Sequence, residues 1–478
     1  MKTYTNYIDG AWVAPSTGKY DENRNPGKPD EVLGRFASSS AADVSAAIDA
    51  ASRAFRTWSA VPGPERAAIL YRFAELLEQN RDELAEILSR EEGKILKEAH
   101  GEVTRARSET LFMAGEASRL TGEHVNSEKP GVDVTRTRVP LGPIGVITPW
   151  NFPIVTPVRK ISPALAYGDT VVFKPATLTP WCAVRLVELY EQAGVPAGVL
   201  NLVTGSGGAI GAVISESPKI RGISFTGSTT VGKKIFRASV ENLTKVQLEM
   251  GGKNAALVFD AEDLSAAADQ IVAAAFASSG QRCTAISRVV VGEAEHDELV
   301  RLMAARIKEI SVGDALVAET GIGPLVSSEQ VAVMERYIEI AKKEGVQIVT
   351  GGSRGRSETG GYFFEPTLLT RVRPDSALAR EEIFGPILSV LKVATFDEGV
   401  AVCNDTEYGL AGCVFTRLIA NEKKFVQNIE TGMVHVNHGT ASQAHVPFGG
   451  VKNSGFGAFS IGPTAKEFYT TDKIVYRM

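Results

Sequence analysis

Cysteine is scarce in this chain of 478 residues: only Cys182, Cys283, Cys403 and Cys413 occur, and no two stand in a CxxC spacing. That weighs against a zinc site or a disulfide framework, and it favours a reducing compartment. Long basic runs are absent and the formal net charge is −5, so neither nucleic acid nor an anionic membrane surface is expected as the main partner. No apolar run reaches the roughly 18 residues of a membrane span. The opening stretch MKTYTNYIDGAW also lacks the apolar core of a secretory signal. The expectation is a cytoplasmic protein with no metal, no nucleic acid and no membrane among its partners.

What is present fits a folded chain, with 44% hydrophobic and 22% charged residues and a length that needs two or three domains. Helical periodicity places Val44, Ala47, Ile48, Ala51 and Phe55 on one face, with Asp43 as the expected N-cap. A longer helix is expected from Pro64, carrying Ile69, Leu70, Phe73, Leu76, Leu77, Leu84 and Leu88. From residue 144 onward, apolar runs at 145–148, 170–173, 199–203 and 222–225 alternate with helical stretches at 180–193 and near 210–216. A second series follows Gly251-Gly252, with strands at 255–259 and 288–291 and an Ala-rich helix over 263–279. Such alternation implies βαβ units and parallel sheets, so the fold class is α/β, with two domains meeting near residue 250. Residues 121–139 read as a projecting hairpin.

Several short segments could carry chemistry. Cys283 lies in Gly280-Gln281-Arg282-Cys283-Thr284, between a helix and a strand. Backbone amides in such a loop can stabilise a thiolate or an oxyanion. Alone, a single cysteine is more often a buried small hydrophobe. Glu249, in Leu248-Glu249-Met250-Gly251-Gly252-Lys253, has room to swing and activate water, or is a surface carboxylate before a linker. Asn151, in Thr148-Pro149-Trp150-Asn151-Phe152-Pro153, is a rigid amide donor suited to developing oxygen charge, or part of an ordinary turn. Lys174-Pro175 and Phe225-Thr226-Gly227-Ser228 each end a strand, where nucleotides bind in parallel α/β sheets. Ser228 would open the following helix, at a place fit for a pyrophosphate. The Gly-rich stretch from Gly205 to Gly211 departs from GxGxxG, because Ile210 stands at the third glycine.

Taken together these segments resemble the aldehyde dehydrogenase superfamily along nearly the whole chain. TPWNFP at 148–153, FKPA at 173–176, FTGS at 225–228, LEMGGK at 248–253, GQRC at 280–283, EEIFGP at 381–386 and PFGG at 447–450 occur in the family's order. The resemblance implies that Cys283 attacks the aldehyde carbon, that Asn151 and the Cys283 N–H form the oxyanion hole, and that Glu249 activates water against a thioester. It also implies a nicotinamide cofactor, NADP or NAD, held by Trp150, Lys174, Thr177, Gly227, Ser228, Glu382 and Phe384. The implied architecture is a Rossmann-like cofactor domain (1–120 and 140–250), an α/β catalytic domain (251–458) and a small β oligomerisation element (121–139 and 459–478). A homodimer or homotetramer follows from that element.

One departure bears on the cofactor. Many NAD-preferring relatives carry Glu three residues after the lysine; here Thr177 stands there, which removes repulsion against a 2′-phosphate and favours NADP. For the substrate, Arg282 and Arg159 could each anchor an anionic group or pair structurally with a carboxylate. HVPFGG and EFYTT resemble dehydrogenases of 2-oxoglutarate semialdehyde, while GQRCTA and Thr177 resemble non-phosphorylating glyceraldehyde-3-phosphate dehydrogenases. The first is the preferred expectation. The alternatives are the second, a broad-specificity or coenzyme A-acylating enzyme, and a catalytically silent structural relative.

Overall fold

Local capping decides where the helices begin. In the computed structural model, which describes residues 1–478, α1 spans Ala41–Trp58. Its N-cap is Ser40, whose hydroxyl accepts from the Ala42 N–H, while the Asp43 carboxylate accepts from the Ser40 N–H at 2.8 Å. Asp43 is thus the third residue of a capping box rather than the expected N-cap. The single helix expected from Pro64 is two, α2 (Gly63–Gln79) and α3 (Arg81–Glu92), separated at Asn80. Leu70, Phe73, Leu77, Leu84 and Leu88 are buried and stay in helical phase across the break, so their periodicity reads as one element. Next comes α4 (Leu96–Ala117), a helix that the apolar pattern does not announce.

The first large sheet has eight strands in the order Gly455–Phe456, Lys245–Glu249, Gly222–Thr226, Pro143–Ile147, Thr170–Lys174, Leu200–Leu202, Asn6–Ile8 and Ala11–Val13. The five from Lys245–Glu249 to Leu200–Leu202 are parallel. Crossover helices α5 (Val155–Tyr167), α6 (Pro180–Gln192), α7 (Gly207–Glu216) and α8 (Thr229–Glu241) connect them. The chain leaves Pro143–Ile147 toward one side of the sheet and later returns on its other side as Gly222–Thr226. That reversal opens a crevice at the carboxyl ends of these two strands, where α/β proteins bind ligands. The edge strand Gly455–Phe456 comes from far along the chain, and it carries the segment after it toward Glu249.

A seven-stranded sheet is built around the parallel neighbours Ile387–Val393, Ile286–Gly292, Asn254–Val258 and Ala411–Phe415. Helix α9 (Leu264–Phe276), capped by Asp263, stops before the expected end at Ser279. Ser278, Ser279 and Gly280 have φ of +52°, +55° and +69°, and such left-handed backbone cannot continue the helix. A third, antiparallel sheet joins Glu123–Val125 and Asp133–Pro140 to the tail strand Thr470–Arg477. The architecture is the α/β arrangement expected from the motifs, with a small separate β-sheet.

Candidate active site

A cavity of about 540 Å³ lies between the two large sheets and collects most of the residues singled out from the sequence. Trp150, Asn151, Arg159, Gly227, Ser228, Glu249, Arg282, Cys283, Glu382 and Phe384 all line it. Lys174 and Thr177 do not; Lys174 ends the strand Thr170–Lys174 and Thr177 follows it, both close to the start of α7.

Cys283 reaches the cavity from the loop that follows the left-handed Ser278-Ser279-Gly280 turn. Residues other than glycine adopt that conformation only when their surroundings hold them there. Here the Ser278 N–H donates to both oxygens of Glu98 at 2.9 and 3.1 Å. A side chain at 280 would meet the Gly385 carbonyl at 2.4 Å, so the glycine of GQRC is required. The Cys283 carbonyl accepts from Asn254 Nδ2 at 2.7 Å, while its own N–H has no partner in the chain. Asn151 is buried, and its Nδ2 donates to the Gln281 carbonyl at 2.9 Å, leaving one amide hydrogen uncommitted. Burial, then the nearby Glu249, pushes the Cys283 thiol up to about 12. Arg159 and Arg282 pull in the opposite direction.

Glu249 ends its strand and is nearly enclosed. Its Oε2 accepts from Thr226 Oγ1 at 2.9 Å and lies 3.9 Å from Lys160 Nζ, and its Oε1 accepts from Ser460 Oγ. Lys160 is wholly buried and also donates to Ser224 Oγ at 3.0 Å. Burial lowers its ammonium to about 8, against the pull of Glu249. Neither Lys160 nor Ser460 was singled out by the motifs. A lysine inside α5, a helix otherwise built largely of apolar residues, was the one available signal.

The arginines divide. Arg159 Nε and Nη2 donate to Glu109 at 3.1 and 2.7 Å, and its guanidinium lies 4.5 Å above the Phe448 ring. Burial opposes its charge, but Glu109 outweighs burial and holds the guanidinium above its ordinary range. This matches the structural alternative for Arg159. Arg105, which the sequence reading passed over, also lines the cavity and donates to the same Glu109 at 2.7 Å. Arg282 has no carboxylate within ion-pair distance; its Nη2 meets only Thr284 Oγ1 at 3.4 Å, and its Nε is buried without a partner.

The remaining residues suit a dinucleotide. Ser228 is the N-cap of α8, and α7 starts at Gly207, so two helix N-termini open near the same crevice. Lys174 is buried, its Nζ bonds only the Pro175 carbonyl, and burial lowers it to about 8, so this ammonium lacks an anion. Thr177 is exposed and donates to the Gly205 carbonyl at 3.2 Å. Across the cavity Glu382 accepts from the Gly252 N–H at 2.9 Å, and burial raises it to about 7. The Trp150 and Phe384 rings meet edge to face at 5.4 Å.

Residues 12–475 match the model of the aldehyde dehydrogenase family. The chain belongs to that family. This aldehyde dehydrogenase is 39% identical over 480 residues to an alpha-ketoglutaric semialdehyde dehydrogenase of Bacillus subtilis, covering 100% of this chain and 98% of the other. Among solved structures, betaine aldehyde dehydrogenase of Staphylococcus aureus in complex with NAD+ superposes with a TM-score of 0.97 at 33% identity, over 99% of this chain and 94% of that one. An NADP-dependent enzyme of E. coli superposes at 0.96 and 35% identity, over 100% and 98%. The enzyme is accordingly an NAD(P)-dependent aldehyde dehydrogenase.

The charge arrangement predicts how the thiol titrates. Glu249 is the largest charge holding Cys283 protonated, after burial itself. Replacing it by Gln removes a negative neighbour, so the pH midpoint for iodoacetamide alkylation of Cys283 in the cofactor-free enzyme should fall in Glu249→Gln. A midpoint that stays or rises would show that the carboxylate does not face the thiol.

Proposed function

We propose that the enzyme oxidises an anionic semialdehyde, 2-oxoglutarate semialdehyde in particular, to the carboxylic acid through a covalent intermediate on Cys283. The observation that carries the substrate reading is Arg282, which lines the cavity beside Cys283 with no carboxylate at ion-pair distance, while Arg105 and Arg159 share Glu109. A substrate carboxylate would answer that unpaired guanidinium through charge-assisted hydrogen bonds. The name of the Bacillus subtilis relative agrees with this substrate. A cationic aldehyde, as in the name of the Staphylococcus aureus relative, would meet these arginines unfavourably.

In this reading the Cys283 thiol first loses its proton to solvent, and the thiolate then adds to the aldehyde carbon. The resulting oxyanion is met by Asn151 Nδ2 and the unpaired Cys283 N–H. Bound NAD(P)+ supplies the hydride acceptor, and a thioester remains on Cys283. Glu249, released from Thr226 and Ser460, takes a proton from a water molecule as that water adds to the thioester. Collapse frees the acid, returns the thiolate, and leaves Glu249 to pass its proton to solvent. Trp150, Lys174, Thr177, Gly227, Ser228, Glu382 and Phe384 would hold the cofactor, whose binding answers the unpaired Lys174 ammonium.

Free cysteines and the lack of any helix long and apolar enough to cross a membrane support a cytoplasmic setting. Exposed Phe236, Val240, Leu243 and Phe456, with Ile474 and Tyr476 on the outer tail strand, support a homodimer or homotetramer.

Arg282→Gln should lower kcat/KM for 2-oxoglutarate semialdehyde by roughly 10- to 100-fold, the loss of a charged hydrogen bond, with far less effect on a neutral aldehyde of similar length. Equal losses on both substrates would contradict the anionic reading. Exposed Thr177 leaves room for a 2′-phosphate, so Thr177→Glu should cut kcat/KM with NADP more than with NAD. An unchanged ratio would remove Thr177 from cofactor selection.

A further inference from the structure

Helix α4 touches the two loops that carry Cys283 and Asn151, and it touches them through buried charge. Lys94, just ahead of the helix, donates to the Asn151 carbonyl at 2.8 Å and to Glu102 Oε2 at 2.6 Å. Its ammonium also lies 3.8 Å from the centre of the Phe152 ring. The other oxygen of Glu102 accepts from the Ile154 and Val155 N–H groups at 2.9 and 3.0 Å. These are orphan donors at the start of α5, whose own N-cap provides no side-chain acceptor. One helical turn away, Glu98 accepts from the Ser278 N–H in the left-handed turn before Cys283. The loops then meet directly, where Asn151 Nδ2 donates to the Gln281 carbonyl. The circuit closes: α4, Asn151 loop, Gln281, Ser278, and back to α4.

We propose that the buried Lys94–Glu102 pair, with Glu98 a turn away, is a positioning device that fixes the Asn151 amide against the Cys283 loop. This rests on the oxyanion role proposed for Asn151. The spacing of the two anchor points is set by the helix pitch, about 5.4 Å per turn, and not by loop flexibility. Both side chains of the pair are 1% exposed. A buried ion pair adds little net stability compared with apolar packing, whereas its directional bonds restrict geometry. Glu102 orients α5 at its first turn, Lys94 pulls the Asn151 backbone toward the helix, and the Asn151 side chain is left aimed at the nucleophile's loop.

Removing one charge alone would leave the other buried and unpaired, so Lys94→Met by itself risks misfolding. The double variant Lys94→Met/Glu102→Gln removes both charges and keeps an acceptor for the Ile154 and Val155 N–H groups. It is compared with Asn151→Ala and with the triple variant by single-turnover NAD(P)H formation at saturating aldehyde, alongside cofactor binding by fluorescence. Asn151→Ala should slow the step by roughly 10²- to 10³-fold, as loss of an oxyanion donor does. The pair variant should bind cofactor as the parent does and lose about tenfold or more in the hydride step, a cost of misplacement. The triple variant should be no slower than Asn151→Ala, because the pair acts only through that amide. A pair variant with the parent rate, or a triple variant whose loss is the product of the two, would overturn the positioning role. An Asn151→Ala variant as fast as the parent would instead overturn the oxyanion reading itself.

Discussion

A thiol buried beside a carboxylate ionises only at a free-energy cost, and much of this site is arranged around that constraint. Burial and Glu249 together keep Cys283 protonated far above the usual thiol range. Glu249 in turn is drawn away from the thiol by Lys160, Thr226 and Ser460. The Glu249 carboxylate is thus committed to partners other than the thiol, and in the proposed reaction the two groups act in succession. Covalent catalysis in two stages suits that arrangement, because the carboxylate is needed only after the thiolate has been consumed.

The same economy of buried charge explains why so much of the scaffold converges on α4. Glu98, Glu102 and Glu109 are spaced along one face of that helix and are directed at the Cys283 loop, the start of α5 and Arg159. Each buried carboxylate must find donors, and each finds them on a different part of the site. One rigid helix thus ties together several separate parts of the cavity wall. Arg282 stands outside this pattern, since Glu109 serves Arg105 and Arg159 and no carboxylate lies within ion-pair distance of Arg282.

Cys283, Asn151 and Glu249 were readable as candidates because each lies in a short contiguous segment whose glycines and prolines already constrain the backbone. Parallel strands such as Thr170–Lys174 were readable for a similar reason, as every residue there is buried and the apolar run is unbroken. The role of α4 was not readable. In LKEAHGEVTRARSETLF, the glutamates look like a solvated face, and only tertiary packing shows them turned inward. Ser460 was hidden because its partner Glu249 is 211 positions away, reached through an edge strand of two residues. The early end of α9 was hidden by Ser278 and Ser279, whose left-handed backbone depends on Glu98 rather than on any local preference. Asp43 was misplaced by three positions because Ser40 and Asp43 are both good capping residues, and the capping box uses both.

In the proposed reaction the acyl group passes through Cys283 and leaves with the help of Glu249. Rapid-quench mass spectrometry of Glu249→Gln, mixed with semialdehyde and NAD(P)+, tests it most directly. An acyl adduct is expected on the peptide bearing Cys283 alone, formed within the first turnover and slow to hydrolyse, and absent in Cys283→Ala. No adduct, an adduct on another residue, or free acid made at the parent rate by Cys283→Ala would contradict it.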